Sequence, residues 1–157
     1  MTRVLFVCTG NTCRSPMAAA AFRHICEQSG AEAVVESAGL AAAAGEPMTP
    51  QAAFALRLRG VRTDGKHRSR ALTPALVDTA DWVVVMTAGH LRAVRERYPA
   101  AAGKMRLLLS FSAKSADTVV PDVADPFGGD SETYVRCLEM MWPSLTRLTE
   151  LMAEGRR

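Results

Sequence analysis

Nine residues near the N-terminus, Cys8-Thr9-Gly10-Asn11-Thr12-Cys13-Arg14-Ser15-Pro16, combine the side chains that phosphoryl chemistry needs. They follow a short apolar run, Val4–Val7, and lead into a Ser-Pro pair that can open a helix. A loop that leaves the carboxyl end of a strand and enters a helix turns several backbone N–H groups into one concavity, where the helix dipole adds positive potential. Gly10 and Asn11 are residue types that tolerate the left-handed backbone of a tight cradle. Arg14 offers a planar fork for two oxygens of a phosphate dianion. With Cys8 at the floor, the same donors favour thiolate over thiol, and a thiolate aimed at phosphorus is an activated nucleophile. The equatorial oxygens of the transferred group would meet donors already in place. Buried structural cysteines are common, but a cysteine between a strand end and turn residues does not read as core.

The leaving atom departs on the side opposite the sulfur, so its proton donor must come from another loop. Residues Ser110 to Gly129 read as a long loop, of a length that is usually functional inside a compact domain. It carries Asp117, Asp122 and Asp125. Residue type alone leaves the three open, although only Asp125 precedes a Pro-aromatic pair, Pro126-Phe127.

The elements that must position these groups alternate short β-branched runs with longer helical stretches. That pattern predicts a single three-layer α/β domain spanning residues 1–157, with a central, mostly parallel four-stranded sheet and the phosphate loop after the first strand. Val4–Val7 is the first strand, and Ser15 as N-cap with Pro16 behind it opens a helix that Gly30 closes. Val34-Val35 forms a second strand, ended by Ser37-Ala38-Gly39. Thr49-Pro50 and Thr73-Pro74 each start a helix, the first running to about Gly60. Trp82–Met86 and Met105–Leu109 are strands, with a helix near His90–Tyr98 between them. Ser131 to about Ala153 is the last helix, with Tyr134, Leu138, Met141, Leu145, Leu148 and Met152 at helical spacing and read as core.

Composition narrows the class further. The chain has 157 residues, 48% hydrophobic and 22% charged, which suits one globular domain. Lys and Arg exceed Asp and Glu by 19 to 16, too mild an excess to argue nucleic-acid binding. The small basic run Lys66-His67-Arg68-Ser69-Arg70 reads as a solvated face and Arg156-Arg157 as a frayed end. No apolar run has membrane-spanning length, and the N-terminus reads as a strand rather than a signal peptide, so a cytoplasmic setting is expected. The four cysteines, Cys8, Cys13, Cys26 and Cys137, have no disulfide or zinc spacing, so neither metal nor cofactor is expected. A monomer or weak homo-oligomer is expected.

Cys8 to Pro16, read as C-x5-R-S, resembles the signature of the low-molecular-weight protein-tyrosine-phosphatase family. The resemblance extends along nearly the whole chain through Ser37-Ala38-Gly39, His67 and Asp125-Pro126-Phe127. It implies that Cys8 forms a phosphocysteine intermediate, that Arg14 binds phosphate, and that Asp125 protonates the leaving group and then activates water. It also implies that Thr9, Gly10, Asn11, Thr12, Cys13, Ser15 and Phe127 face phosphate or substrate, with Ser15 stabilising the thiolate. Asn11, Ser37 and His67 would brace the loop, although His67 by itself reads as a surface-loop histidine. Cys13 matches a cysteine that in many members forms a protective disulfide with the nucleophile. His24 and His90 receive no role.

The phosphorylated side chain is expected to sit on protein substrates. Many tyrosine-specific relatives carry an aliphatic residue where this chain has Thr12, and C-T-G-N-T-C-R-S-P-M-A looks like the bacterial protein-arginine-phosphatase branch. A threonine hydroxyl can orient a polar guanidinium or a water. Gly128 stands where tyrosine-specific members have a second aromatic, and Leu40–Gly45 supplies no aromatic wall. That small loop also departs from the arginine branch, which often has a bulky residue near Leu40. Phosphoarginine is favoured, with phosphotyrosine as the alternative. An arsenate reductase shares this loop but needs two further cysteines, and Met86–His90 has none while Cys137 stands alone. A purely phosphate-binding module would need neither Cys8 nor Asp125, and the G-x4-G-K-[ST] loop of nucleotide-binding proteins is absent.

Overall fold

In the computed structural model, residues 1–155 are described; Arg156 and Arg157, expected to be a frayed end, lie outside them. Four strands form one sheet: β1 (Thr2–Cys8), β2 (Ala33–Gly39), β3 (Trp82–Val85) and β4 (Met105–Leu107). Their order is β2-β1-β3-β4, and every neighbouring pair is parallel. The expectation of a mostly parallel sheet is thus met by a wholly parallel one.

Parallel strands buried on both faces read as continuous apolar runs, as Val4–Val7 and Trp82–Val85 do. Val4, Phe6 and Val84 pack under α1 (Arg14–Ser29), α2 (Pro50–Leu58) and α5 (Ser131–Ala153). Leu5, Val7, Val83 and Val85 point the other way, toward α3 (Pro74–Thr79) and α4 (Ala88–Arg97). Tyr134, Leu138, Met141, Leu145 and Leu148 are buried on α5 as their spacing predicts, and Met152 packs beside them partly buried.

Thr49 and Thr73 cap α2 and α3 as the Thr-Pro pairs predict, accepting from Ala52 N and Leu76 N. Several boundaries differ from expectation. β2 runs on through Ser37-Ala38-Gly39, because those residues pair with Phe6, Val7 and Cys8. β4 ends at Leu107, where the chain tightens into a 3-10 turn over Leu108–Ser112 that starts the long loop. The helix expected near His90 begins two residues earlier, where the Thr87 hydroxyl accepts from His90 N.

This strand order has a consequence for function. The chain leaves β1 toward β2 on one side, then returns to place β3 on the other. In open parallel sheets the crevice at such a reversal, beyond the carboxyl ends of the strands, is where ligands bind. Cys8 is the last residue of β1.

Candidate active site

Cys8 Sγ lies 3.0 Å from Ser15 Oγ. The direction of that bond follows from its surroundings. Asn11 Nδ2 donates to the same Ser15 oxygen at 2.8 Å, which leaves the single hydroxyl proton to be given to sulfur. A hydrogen bond donated to the sulfur is worth more to the thiolate than to the thiol. Ser15 was expected to cap the helix as well, and it does not. α1 begins at Arg14, and its N-cap, Cys13, makes no side-chain capping bond. The tertiary arrangement takes the serine hydroxyl for the Cys8 sulfur.

Asn11 is the hub of the loop. It is fully buried and has φ of 56°, the left-handed conformation that asparagine tolerates better than most residues. Its amide spends both protons, on Ser15 Oγ and on Ser37 Oγ at 3.0 Å. Its Oδ1 accepts from Arg70 N at 3.1 Å. Its backbone carbonyl accepts from His67 Nε2 at 2.8 Å, which fixes that proton on Nε2. Burial lowers the His67 pKa below its ordinary value, so the ring is neutral in this role. Asn11, Ser37 and His67 therefore meet in one hydrogen-bonded group.

The basic run at 66–70 is not merely a solvated face. His67 is half-buried and Ser69 buried, while Lys66 and Arg68 point out. Gly39 N donates to Arg70 O and Leu72 N donates to Gly39 O, so the segment lines up beside the end of β2. Arg70 Nε also donates to Ser37 O at 3.0 Å. Long basic side chains disguise a strut that props the Cys8–Arg14 loop. Gly39 is where loop and strut close on each other: a Cβ there would stand 2.5 Å from Thr9 O and 3.1 Å from Asn11 N.

Arg14 is 5% exposed, remarkably low for a guanidinium outside a core ion pair. Its Nη1 donates to Val123 O at 3.0 Å, and its Nη2 lies 3.5 Å from Asp125 Oδ2. Its Nε is buried with no protein partner, a donor suited to an anion's oxygen. Asp125 is about half-exposed, and its Oδ1 accepts from Phe127 N across Pro126. Of the three aspartates left open by residue type, Asp122 is engaged by Ala88 N, while Asp125 reaches the Arg14 guanidinium.

The remaining residues separate into two groups. Thr9 is exposed at the mouth of the loop and bonds His90 Nε2 at 2.8 Å. Gly10 and Thr12 face each other, Thr12 Oγ1 standing 3.8 Å from where a Gly10 Cβ would be. Phe127 is 72% exposed, one free aromatic wall. Cys13 turns inward, its sulfur 3.3 Å from Tyr134 Oη, whose pKa burial pushes up to about 12. Cys8 and Cys13 are both free thiols here. Cys137 is buried on α5, and burial pushes its thiol up to about 12, which suits packing rather than redox relay. His90, given no role from the sequence, stands against the start of the loop; its position just after the Thr87 cap was the one available signal.

Residues 3–157 match the family described as low molecular weight phosphotyrosine protein phosphatase. The chain belongs to that family. It is a cysteine-dependent protein phosphatase. It is 40% identical over 148 residues to the protein-arginine-phosphatase of Geobacillus stearothermophilus, covering 94% of each chain. It is also 40% identical over 157 residues to the low molecular weight protein-tyrosine-phosphatase of Streptomyces coelicolor, covering 97% of this chain and 94% of that one. Among solved structures, it superimposes with a TM-score of 0.90 at 34% identity, over 99% of both chains, on a YwlE arginine phosphatase variant. In that variant a serine replaces the active-site cysteine and carries phosphate. Among the described residues, no helix is long and apolar enough to cross a membrane.

Proposed function

We propose that this phosphatase removes the phosphoryl group from phosphoarginine in proteins, with Cys8 as nucleophile, Arg14 as clamp and Asp125 as proton donor and acceptor. The Cys8 thiolate attacks phosphorus while Asp125, protonated, gives its proton to the departing guanidinium nitrogen. The S–P bond forms as the P–N bond breaks. Asp125, now a carboxylate, takes a proton from water as that water attacks the phosphocysteine. The S–P bond breaks, and inorganic phosphate and the Cys8 thiolate are released. Backbone N–H groups of Thr9 to Arg14 and the Arg14 guanidinium stabilise the charge on the equatorial oxygens in both steps. The chemistry needs Cys8 reduced, and so a reducing compartment such as the cytoplasm.

The observation that carries the choice of side chain is Thr12. Its hydroxyl lies 3.8 Å from where a Gly10 Cβ would stand and 3.7 Å from the Cys13 sulfur, a weak contact that it can exchange for a polar leaving group or a water. An aliphatic residue there would offer a guanidinium no hydrogen bond, and a buried polar group left unpaired costs about 1–3 kcal/mol. Phe127, followed by Gly128 rather than by a second aromatic, is one exposed aromatic wall where a phenyl ring would gain from two. Each stacked pair is worth about 0.5–1.5 kcal/mol beyond area. Identity to the two named relatives does not separate the readings, being 40% to each.

The test is a comparison of kcat/KM on phosphoarginine and phosphotyrosine peptides, with the unmodified enzyme and Thr12→Ile. The unmodified enzyme prefers phosphoarginine, and the substitution shifts the ratio toward phosphotyrosine by about tenfold or more. A preference that Thr12→Ile leaves unchanged refutes the specificity argument. A Cys8→Ser protein that hydrolyses an aryl phosphate at the original rate refutes the mechanism.

A further inference from the structure

His90 is 8% exposed, yet none of the chemistry above uses it. Its Nε2 is 2.8 Å from Thr9 Oγ1, on the residue directly after the nucleophile. Its Nδ1 is buried with no partner. We propose that His90 is a positioning residue for the phosphate loop: its ring, held in the first turn of α4, grips the Thr9 side chain and so orients the peptide groups that open the cradle. The proposal rests on the reading of Cys8 to Arg14 as a phosphate site.

Three features of the site support it. The ring is mounted rigidly, because His90 N donates to the capping Thr87 hydroxyl at 3.0 Å. The same turn of chain anchors the loop that carries Asp125. Val123 N donates to Met86 O at 2.8 Å, and Ala88 N donates to Asp122 Oδ1 at 2.8 Å. Val123 O in turn receives Arg14 Nη1. The β3–α4 junction is therefore one fixed body from which His90 reaches the nucleophile's side of the pocket and Met86 and Ala88 hold the acid's side. The ring also stays uncharged. Burial, and then the Arg14 guanidinium, lower its pKa to about 4, against the opposing pull of Asp122 and Asp125.

The tautomer adds a direction. A buried N–H without an acceptor is rarer in proteins than a buried acceptor without a donor. The proton therefore belongs on Nε2, donated to Thr9 Oγ1, with Nδ1 bare. Thr9 then keeps its own hydroxyl proton, at an exposed position, for an oxygen at the pocket mouth. Glutamine can reproduce that donor and leucine cannot.

The experiment uses the full chain with inorganic phosphate as competitive inhibitor and an aryl phosphate as substrate. His90→Leu weakens phosphate inhibition and lowers kcat/KM by about tenfold, a loss of the size expected for coupled neighbours. His90→Gln recovers most of both. Thr9→Val, at an exposed site, weakens phosphate inhibition alike, and adding His90→Leu to it costs no more than about twofold further. The proposal is overturned if the His90→Leu loss is undiminished in the Thr9→Val background. It is equally overturned if glutamine fails to rescue a folded protein, or if Thr9→Val inhibits normally where His90→Leu will not fold. An unmodified enzyme that phosphate does not inhibit sinks the phosphate-site reading and this proposal with it, whereas inhibition that no variant alters sinks this proposal alone.

Discussion

Removing the Asn11 side chain should separate the stability of the catalytic loop from its chemistry. Asn11→Ala deletes three buried hydrogen bonds, to Ser15, Ser37 and the Arg70 amide. At about 1 kcal/mol net each, these sum to roughly 3 kcal/mol. Alanine at φ of 56° adds about 1 kcal/mol of backbone strain that asparagine partly avoids. The expected destabilisation is about 3–5 kcal/mol, which for a domain of this size lowers Tm by roughly 6–20 °C. Asn11→Gly removes the strain but not the lost bonds, so it should recover about 1 kcal/mol of that.

Asn11→Asp makes the sharper test, because it conserves shape and reverses one donor. A carboxylate accepts where the amide donated, so Ser15 turns its only proton toward it and away from Cys8 sulfur. The new charge also opposes the thiolate. The assay is the rate of Cys8 alkylation by iodoacetamide at neutral pH, beside thermal melting and kcat/KM on an aryl phosphate. Alkylation and turnover should fall by about tenfold or more in Asn11→Asp, since a hydrogen bond to a charged group is worth about 1.5–3 kcal/mol. If Asn11→Asp melts normally and Cys8 reacts as fast as before, the Asn11–Ser15–Cys8 relay of donors is not what favours the thiolate.

Gly39→Ala should nearly abolish activity while leaving the rest of the sheet folded, because its Cβ would stand 2.5 Å from Thr9 O and force the loop outward; phosphate inhibition of the purified variant checks this, and a normal inhibition constant refutes the packing argument. Acid should destabilise the protein through His67 and His90, both of which are held below their ordinary pKa by burial. Because the unfolded chain binds those protons more readily, their contribution is complete above about pH 6.5 and is lost as pH falls below it, for His90 down to about 4, its full contribution being at most about 3 kcal/mol. Melting curves at about pH 7 and about pH 5 test it, and an acid shift in Tm that His90→Gln does not reduce rules out His90 as its source.

Much of this site was legible in local pattern. Val4–Val7 followed by Cys8, Gly10, Asn11 and Arg14 specifies a strand, a turn and an anion cradle through types that act on their immediate neighbours. The Thr49-Pro50 and Thr73-Pro74 caps likewise follow from rules spanning three residues. What was not legible depended on which distant segments meet. Asn11 is satisfied by Ser37 and Arg70, 26 and 59 residues away, and no local rule joins them. Ser15 was misread as a cap because the Ser-Pro rule is local, while the demand on its hydroxyl comes from the folded loop. The strut at 66–70 did carry a signal. Lys66, Arg68 and Arg70 are exposed, alternating with half-buried His67 and buried Ser69, a period of two that the charge count concealed.

The helix ends show where stability has been given up for function. α2, α3, α4 and α5 are each capped by a side chain, from Thr49, Thr73, Thr87 and Asp130. α1 alone among these five has no such cap, although Ser15 lies within its first turn. A cap is worth about 1 kcal/mol, and it acts by occupying the amides that a phosphate would need. An uncapped α1, the left-handed Asn11 and the unpartnered Arg14 Nε share one cause: each is a donor or a torsion held ready for an anion. The strut and Asn11's bonds hold that arrangement in place without filling it. The free protein should therefore be the less stable form, gaining stability with phosphate concentration by mass action, and less steeply in variants whose loop has lost part of its bracing and so binds phosphate more weakly.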